Sequence, residues 1–328
     1  MLEITTPSEI IYAKNKQNQF ERIPAMTEHP IIEISNLNFS YSKKDHTLKN
    51  LNLSIPEGSI YGFLGPNGAG KSTTMQILTD ILTGYEGEVK VFGASLKSQT
   101  PEIFKRIGAL VESPSLYLHL SGYDNLKYIT RLKQLEENEI EPILKLVGLE
   151  GKGGLKVKKY SLGMKQRLAI GMTLLGNPDI LFLDEPVNGL DPMGMTEVRE
   201  LLVRINKELG TTIFISSHLL AEIEKMCTHI AIIHHGEKKF EGTMEQLKQL
   251  NKKGFQVIIE TNDARAAYNL LNFKYSKIEI KNQSELIVPL ERKEDIPAFI
   301  AHCVELQMPL FSVSSKEDLE DWFLKLTK

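Results

Sequence analysis

The 328-residue chain holds only two cysteines, Cys227 and Cys303, far apart and in no metal-type or redox-type spacing. Such residues serve as small buried hydrophobes in a reduced compartment. Nowhere is there an apolar run of the roughly 18–20 residues that a membrane-spanning helix requires. The chain is therefore not expected to form a channel, and any membrane role must come through a partner. A basic surplus is missing too. The formal net charge of -3 argues against an electrostatic commitment to nucleic acid, and no such partner is expected. Internal repeats and low-complexity tracts are also lacking. What remains is an ordinary globular composition, long enough for one large domain and a smaller one.

Residues 1–30 mix Lys, Gln, Asn, Glu and Pro without periodicity and without the apolar core of a signal peptide. They read as a disordered extension, with Met26 a candidate natural start. From Ile31 the pattern changes. Ile31–Ile34 and Leu51–Ile55 alternate with period two, as half-buried strands do. After the turn Pro56-Glu57-Gly58, the apolar run Ile60–Leu64 leads into a glycine-rich loop and a helix expected over Lys71–Leu82. The section from Pro101 to Val157 reads as mostly helical, with Ser121 as an N-cap. Apolar strands at Ile180–Leu183 and Thr212–Ser216 flank a helix at Met195–Leu209, which predicts a parallel crossover and an α/β sheet.

A break falls near Leu250–Gly254. Beyond it, strands are expected at Phe255–Glu260, Ser276–Ile280, Glu285–Leu290 and Leu310–Val313, with helices at Asp263–Leu271 and Glu294–Leu306. That order is βαββαβ, a small α+β split-βαβ domain. A last helix is expected from Ser315, with Asp318 completing a capping box. The boundaries read as 31–245 for the large domain, about 101–175 for its helical part, and 254–328 for the accessory domain.

Gly65-Pro66-Asn67-Gly68-Ala69-Gly70-Lys71-Ser72 fits GxxxxGK followed by Ser or Thr, placed between a strand and a helix. Glycines let backbone N–H groups curl around phosphate oxygens, and the helix N-terminus adds partial positive charge. Lys71 is expected on the β- and γ-phosphates of ATP, the Ser72 hydroxyl on Mg²⁺, and Thr73 just inside the nucleotide site. The motif says NTPase without saying which kind. Ile180-Leu181-Phe182-Leu183-Asp184-Glu185-Pro186 supplies the other half. An apolar strand ending in acid sets Asp184 beside the loop to hold the Mg²⁺ shell, and Glu185 at the attacking water as general base.

Ahead of that strand stands Tyr160-Ser161-Leu162-Gly163-Met164-Lys165-Gln166-Arg167-Leu168; after it come Asn188-Gly189-Leu190-Asp191 and, at the next strand's end, His218. P-loop, signature, acidic strand end, D-loop and H-loop in this order resemble an ABC-transporter ATPase, continuously from about Ile31 to Gly242. The resemblance implies a P-loop NTPase cassette of mixed sheet, with an antiparallel β subdomain and a helical subdomain. It further implies a head-to-tail homodimer in which Ser161 and Gly163 grip the γ-phosphate of the other copy's ATP. Asp191 would couple the two sites, and His218 would touch the γ-phosphate. An isolated strand-end histidine is more often structural, so this role for His218 rests on the motif order. Tyr41, in Phe39-Ser40-Tyr41, is similar to the aromatic on which adenine stacks; a plain exposed strand-end tyrosine is the other reading. The implied partner is an integral membrane permease, and the implied place is the cytoplasmic face of the membrane.

Two departures stand out. Leu162 and Met164 replace the usual glycine and glutamine of the signature, while Ser161 and Gly163 remain. Glu112, in Ile107-Gly108-Ala109-Leu110-Val111-Glu112-Ser113-Pro114, stands where most such ATPases carry the Q-loop glutamine. A carboxylate is a hard anionic ligand, which makes Glu112 a third candidate for Mg²⁺. These segments, with the tail Leu319-Glu320-Asp321-Trp322-Phe323-Leu324-Lys325-Leu326, are similar to the bacitracin-export and lantibiotic-immunity branch. Export of sodium or another drug is the second reading within transport. A non-transport role on ribosomes or DNA is the rival class, disfavoured by the single cassette and the lack of sustained heptads. The basic run Lys152, Lys156, Lys158 and Lys159 reads as a solvated face rather than an aid to the opposing phosphates.

Overall fold

A computed structural model describes residues 12–14, 20–22, 30–42, 45–112, 115–250, 255–290, 292–316 and 323. The chain divides into two compact units, Met1–Met244 and Glu245–Leu326. In the first, the expected disordered extension instead carries a short antiparallel pair, β1 (Tyr12–Lys14) and β2 (Phe20–Arg22). Three-residue strands are shorter than the window over which hydrophobic alternation can be read. Met26 lies outside the described residues.

Strands β3 (Pro30–Ser42) and β4 (Asp45–Pro56) form a long hairpin, and β3 also pairs with a later strand. Next come β5 (Ile60–Leu64), α1 (Lys71–Leu78), β6 (Glu86–Val91), β7 (Ala94–Ser95) and the short α2 (Leu96–Gln99). The order β4-β3-β6-β7 makes an antiparallel sheet. Its buried Ile32, Ile34, Leu51, Leu53, Val89 and Val91 share one core with Phe63, Phe182 and Phe214. Helix α1 is four residues shorter than expected, because the chain leaves it through Asp80 at φ +57.

The section expected to be mostly helical opens differently. A 3₁₀ turn (Glu102–Arg106) runs into β8 (Ile107–Leu110), which pairs in parallel with β9 (Ile180–Asp184). Helices follow as α3 (Gly122–Leu132), α4 (Ile140–Leu146) and α5 (Leu162–Leu174). Ser121 caps α3 as expected. Its hydroxyl accepts from the Asp124 N–H, and the Asp124 carboxylate reaches back to the Ser121 N–H.

After β9 come α6 (Pro192–Leu209), β10 (Thr212–Ser217), α7 (Leu220–Met226), β11 (His229–His234) and β12 (Glu237–Thr243). The main sheet runs β12-β11-β5-β10-β9-β8, parallel throughout except for β12. Strands β5 and β10 are buried end to end, the pattern of strands covered on both faces. In such sheets ligands bind outside the carboxyl ends of the strands. Those ends carry Gly65, Asp184 and Ser217.

Helix α8 (Met244–Leu250) spans the division between the units. The second unit holds β13 (Phe255–Glu260), α9 (Ala264–Leu271), β14 (Glu279–Ile280), β15 (Glu285–Leu290), α10 (Ile296–Glu305) and β16 (Ser312–Lys316). Its antiparallel sheet has the order β14-β15-β13-β16, the split-βαβ arrangement. Val257, Ile259, Leu286 and Val288 meet Ala267, Phe299 and Cys303 from the two helices. Ser315 lies inside β16, opposite Val257, so no helix starts there; Asp318 lies outside the described residues. Both cysteines are free and buried. Burial pushes the Cys303 thiol up to about 11 and the Cys227 thiol well above its ordinary value, so both are inert at neutral pH.

Candidate nucleotide site

The loop after β5 is built on close approaches. At Gly65 a Cβ would fall 2.4 Å from the Ile233 carbonyl oxygen; at Gly70, where φ is +108, it would fall 2.6 Å from Leu48 Cδ2. Glycine alone fits both. The Gly236 N–H donates to the Ala69 carbonyl at 3.0 Å and clamps the loop to the turn between β11 and β12. Helix α1 then begins at Lys71 with no acid in its first turn, so its unpaired N–H groups and dipole stay open to an anion. Lys71 is only 6% exposed. Its Nζ donates to the carbonyls of Gly65 at 2.8 Å and Pro66 at 3.2 Å, and lies 3.4 Å from Glu185 Oε1. Asn67, Gly68 and Ser72 are exposed around this pocket, while Thr73 is buried.

The acids arrive at the end of β9. Glu185 adopts φ +48, a left-handed conformation that costs a non-glycine residue on the order of 1–3 kcal/mol. Its Oε2 meets His218 Nδ1 at 2.9 Å. Its Oε1 is buried without a hydrogen-bond partner. Asp184 accepts a hydrogen bond from the Ser216 hydroxyl, which in turn accepts one from the Glu185 N–H at 2.9 Å.

Tyr41 stands 59% exposed at the end of β3, edge-on to Phe39 with ring centroids 5.0 Å apart. Its hydroxyl lies 3.3 Å from both Thr73 Oγ1 and Gln76 Oε1. Gln76 Nε2 donates to Glu112 Oε1 at 3.2 Å. Glu112 is exposed at φ +75; the neighbouring Ser113 and Pro114 lie outside the described residues. Gln76 thus ties Tyr41 to Glu112, and sequence reasoning missed it. It stands four residues after Ser72 on one helix, hence on the same face, which is the signal that points to it. Ser216 was missed as well.

Ser161, Gly163 and Asp191 form a second group. Ser161 caps α5 by accepting from the Met164 N–H at 3.2 Å. A Cβ on Gly163 would sit 3.7 Å from Gly194 Cα, so α5 and α6 start side by side. Asp191 caps α6 through the Gly194 N–H at 2.9 Å. Arg167 locks this corner, donating to the carbonyls of Val147 and Gly148 and lying 3.4 Å from Glu197. Ser161 and Leu162 are exposed. Among the described residues, no hydrogen bond or ion pair joins this group to Lys71, Asp184 or Glu185. Lys152, Lys156, Lys158 and Lys159, just before Ser161, are all exposed.

The pocket suits a nucleotide triphosphate. It offers a glycine cradle, an unopposed helix N-terminus, a buried ammonium and, 3.4 Å from it, a carboxylate oxygen without a hydrogen bond. Among the described residues no three His, Cys, Asp or Glu side chains gather to hold a metal. One carboxylate and one hydroxyl, Asp184 and Ser72, fit a cation that keeps water and phosphate as its other ligands, as Mg²⁺ does.

A family model described as ABC transporter matches residues 48–188. The bacitracin transport ATP-binding protein BcrA of Enterococcus faecalis is 34% identical over 298 residues, covering 90% of this chain and 96% of BcrA. The chain belongs to the ABC transporter family. It is an ATP-binding subunit and an ATPase. A second relative of this subunit, the lantibiotic transport ATP-binding protein SrtF of Streptococcus pyogenes, is 42% identical over 67% of this chain and 95% of SrtF. Among solved structures, cbiO1 of Clostridium perfringens, part of the ABC transporter complex cbiONQ, superposes with a TM-score of 0.63 at 29% identity. The match covers 75% of the ABC subunit described here and 96% of cbiO1. The cassette MJ0796, a post-hydrolysis dimer bound to ADP and Pi, gives a TM-score of 0.58 at 25% identity over 65% of this chain and 98% of its own. In the described residues no helix is long and apolar enough to cross a membrane.

Proposed function

We propose that two copies of this chain close on two MgATP molecules beneath a membrane permease and drive export of a peptide antibiotic such as bacitracin or a lantibiotic. What carries this reading is the half-buried Glu185 carboxylate, its Oε2 on His218 and its Oε1 enclosed without a hydrogen bond, 3.4 Å from the Lys71 ammonium. In this reading Lys71 leaves its own loop carbonyls for the β- and γ-phosphates, and the loop and α1 N–H groups take the remaining oxygens. Ser72 and Asp184, with Glu112 as a third candidate, would hold Mg²⁺, which would supply charge neutralisation on the phosphates. Glu185 accepts a proton from water as the water oxygen bonds to the γ-phosphorus. The bond from that phosphorus to the β-bridging oxygen breaks, leaving ADP and phosphate. His218 keeps the Glu185 carboxylate aimed.

Ser161 is exposed at the start of a helix with Gly163 half-buried beside it, and neither shares a hydrogen bond or ion pair with Lys71 among the described residues. They are therefore suited to complete the site of the other copy, with Asp191 beside them. The dimer of MJ0796 supports this arrangement. Phosphate release would remove the shared contacts and open the pair, because a ligand shifts an equilibrium only by its differential affinity for the two states. BcrA and SrtF support the peptide-antibiotic cargo, and the placement on the cytoplasmic face follows from the permease. Copurification of the native complex, with identification of its integral subunit, tests the transporter reading. A deletion strain should become more sensitive to bacitracin or a lantibiotic; unchanged survival against both would remove the cargo assignment.

Two variants probe the rim of the site. Tyr41→Ala should weaken ATP binding by about 1–3 kcal/mol if adenine stacks there; unchanged calorimetric affinity would reduce Tyr41 to a strand-end residue. In the assembled complex, Glu112→Gln should alter the Mg²⁺ dependence of hydrolysis and the drug protection it supports. Identical behaviour in both assays would remove Glu112 from the metal's surroundings.

A further inference from the structure

The Ser216 hydroxyl is fully buried on β10 and sits opposite Asp184 of β9 in the strand register. It donates to Asp184 Oδ1 and accepts the Glu185 N–H at 2.9 Å. We infer that Ser216 is a positioning residue for hydrolysis, one hydroxyl that sets both acids at once. This rests on the proposed role of Glu185 as general base.

Parallel pairing of β9 with β10 ends at Asp184 and Ser216, so the ladder does not hold the next peptide. There the backbone turns to φ +48 at Glu185, and the Ser216 oxygen is the acceptor that fixes the Glu185 N–H in this orientation. That turn aims the carboxylate between His218 and Lys71. On the donor side, the Ser216 proton occupies one Asp184 oxygen and leaves the other for the metal shell. An apolar side chain at this position would fill the strand equally well but would orient neither acid. Ser217, the next residue, serves differently: its hydroxyl accepts from the Leu219 N–H, and its carbonyl accepts from the Gly65 N–H.

The test compares Ser216→Ala, Ser216→Thr and Glu185→Gln in the full-length protein, both alone and in its native membrane complex. In nucleotide-free protein, Ser216→Ala should speed hydrogen exchange in the peptide spanning 183–187 while exchange in α1 stays unchanged. In the complex it should lower kcat by ~10–100-fold with the KM for ATP within about threefold, an effect below that of losing a general base. Ser216→Thr keeps the hydroxyl on a strand that favours β-branched residues. It should restore both exchange protection and kcat. Normal kcat in Ser216→Ala, no rescue by threonine, or matched losses of kcat, affinity and melting temperature would overturn the assignment. Glu185→Gln separates the two claims. If it keeps its turnover, the reading of Glu185 fails; if it is inactive while Ser216→Ala is normal, only the role of Ser216 fails.

Discussion

Glu185→Gln should lower ATP turnover by about 10²–10⁴-fold, the usual share of a positioned base, and leave MgATP binding intact. The amide has nearly the shape of the carboxylate, and the backbone N–H keeps its bond to Ser216. What is lost is proton affinity. The Lys71–Glu185 contact points to equal or tighter binding in the variant. Glu185 Oε1 lies 3.4 Å from Lys71 Nζ, and an incoming phosphate must share that ammonium with a like-charged carboxylate. Removing the charge removes the competitor. Calorimetry and steady-state hydrolysis on the same preparation check both halves, and near-normal turnover would contradict the assignment.

Lys71→Ala should act on affinity first. Deleting one partner of a buried charge contact costs about 2–5 kcal/mol, on the order of 30- to 4000-fold in binding. In the free protein the same ammonium bridges the carbonyls of Gly65 and Pro66. Its loss therefore leaves two loop carbonyls without that donor and loosens the cradle as well. Unchanged nucleotide affinity in Lys71→Ala would remove the loop from the binding site. Comparing the two variants separates gripping the phosphate from cleaving it. One fails to hold the substrate, and the other holds it without turning it over.

Much of this site was legible because its chemistry is contiguous. Residues 60–72 and 180–186 each place a strand, a turn and the reactive groups within one short window, so composition and order sufficed. The βαββαβ pattern beyond Gly254 was legible for a similar reason: β15 alternates between half-buried and buried at every residue. Ser216 was not legible, because its partners lie 31 and 32 residues away. A serine in an apolar strand carries no local mark of what it bonds. The left-handed turn at Glu185 left no trace either, since glutamate seldom adopts it. β8 was hidden inside a helical stretch because a four-residue strand with a glycine shows too little periodicity. At Ser315, pairing with Val257 of β13 overrode a local capping signal, while α1 ended early at the left-handed Asp80.

Placing Ser161 and Lys71 of different copies on one γ-phosphate gives the dimeric mechanism its sharpest consequence. The direct measurement is a structure of the Glu185→Gln complex, permease included, trapped with MgATP. Ser161 of each copy, at the start of α5, should face Lys71 of the other across a γ-phosphate, with Asp191 at the seam. Finding those two residues on unrelated surfaces, with nucleotide bound and the permease present, would contradict it.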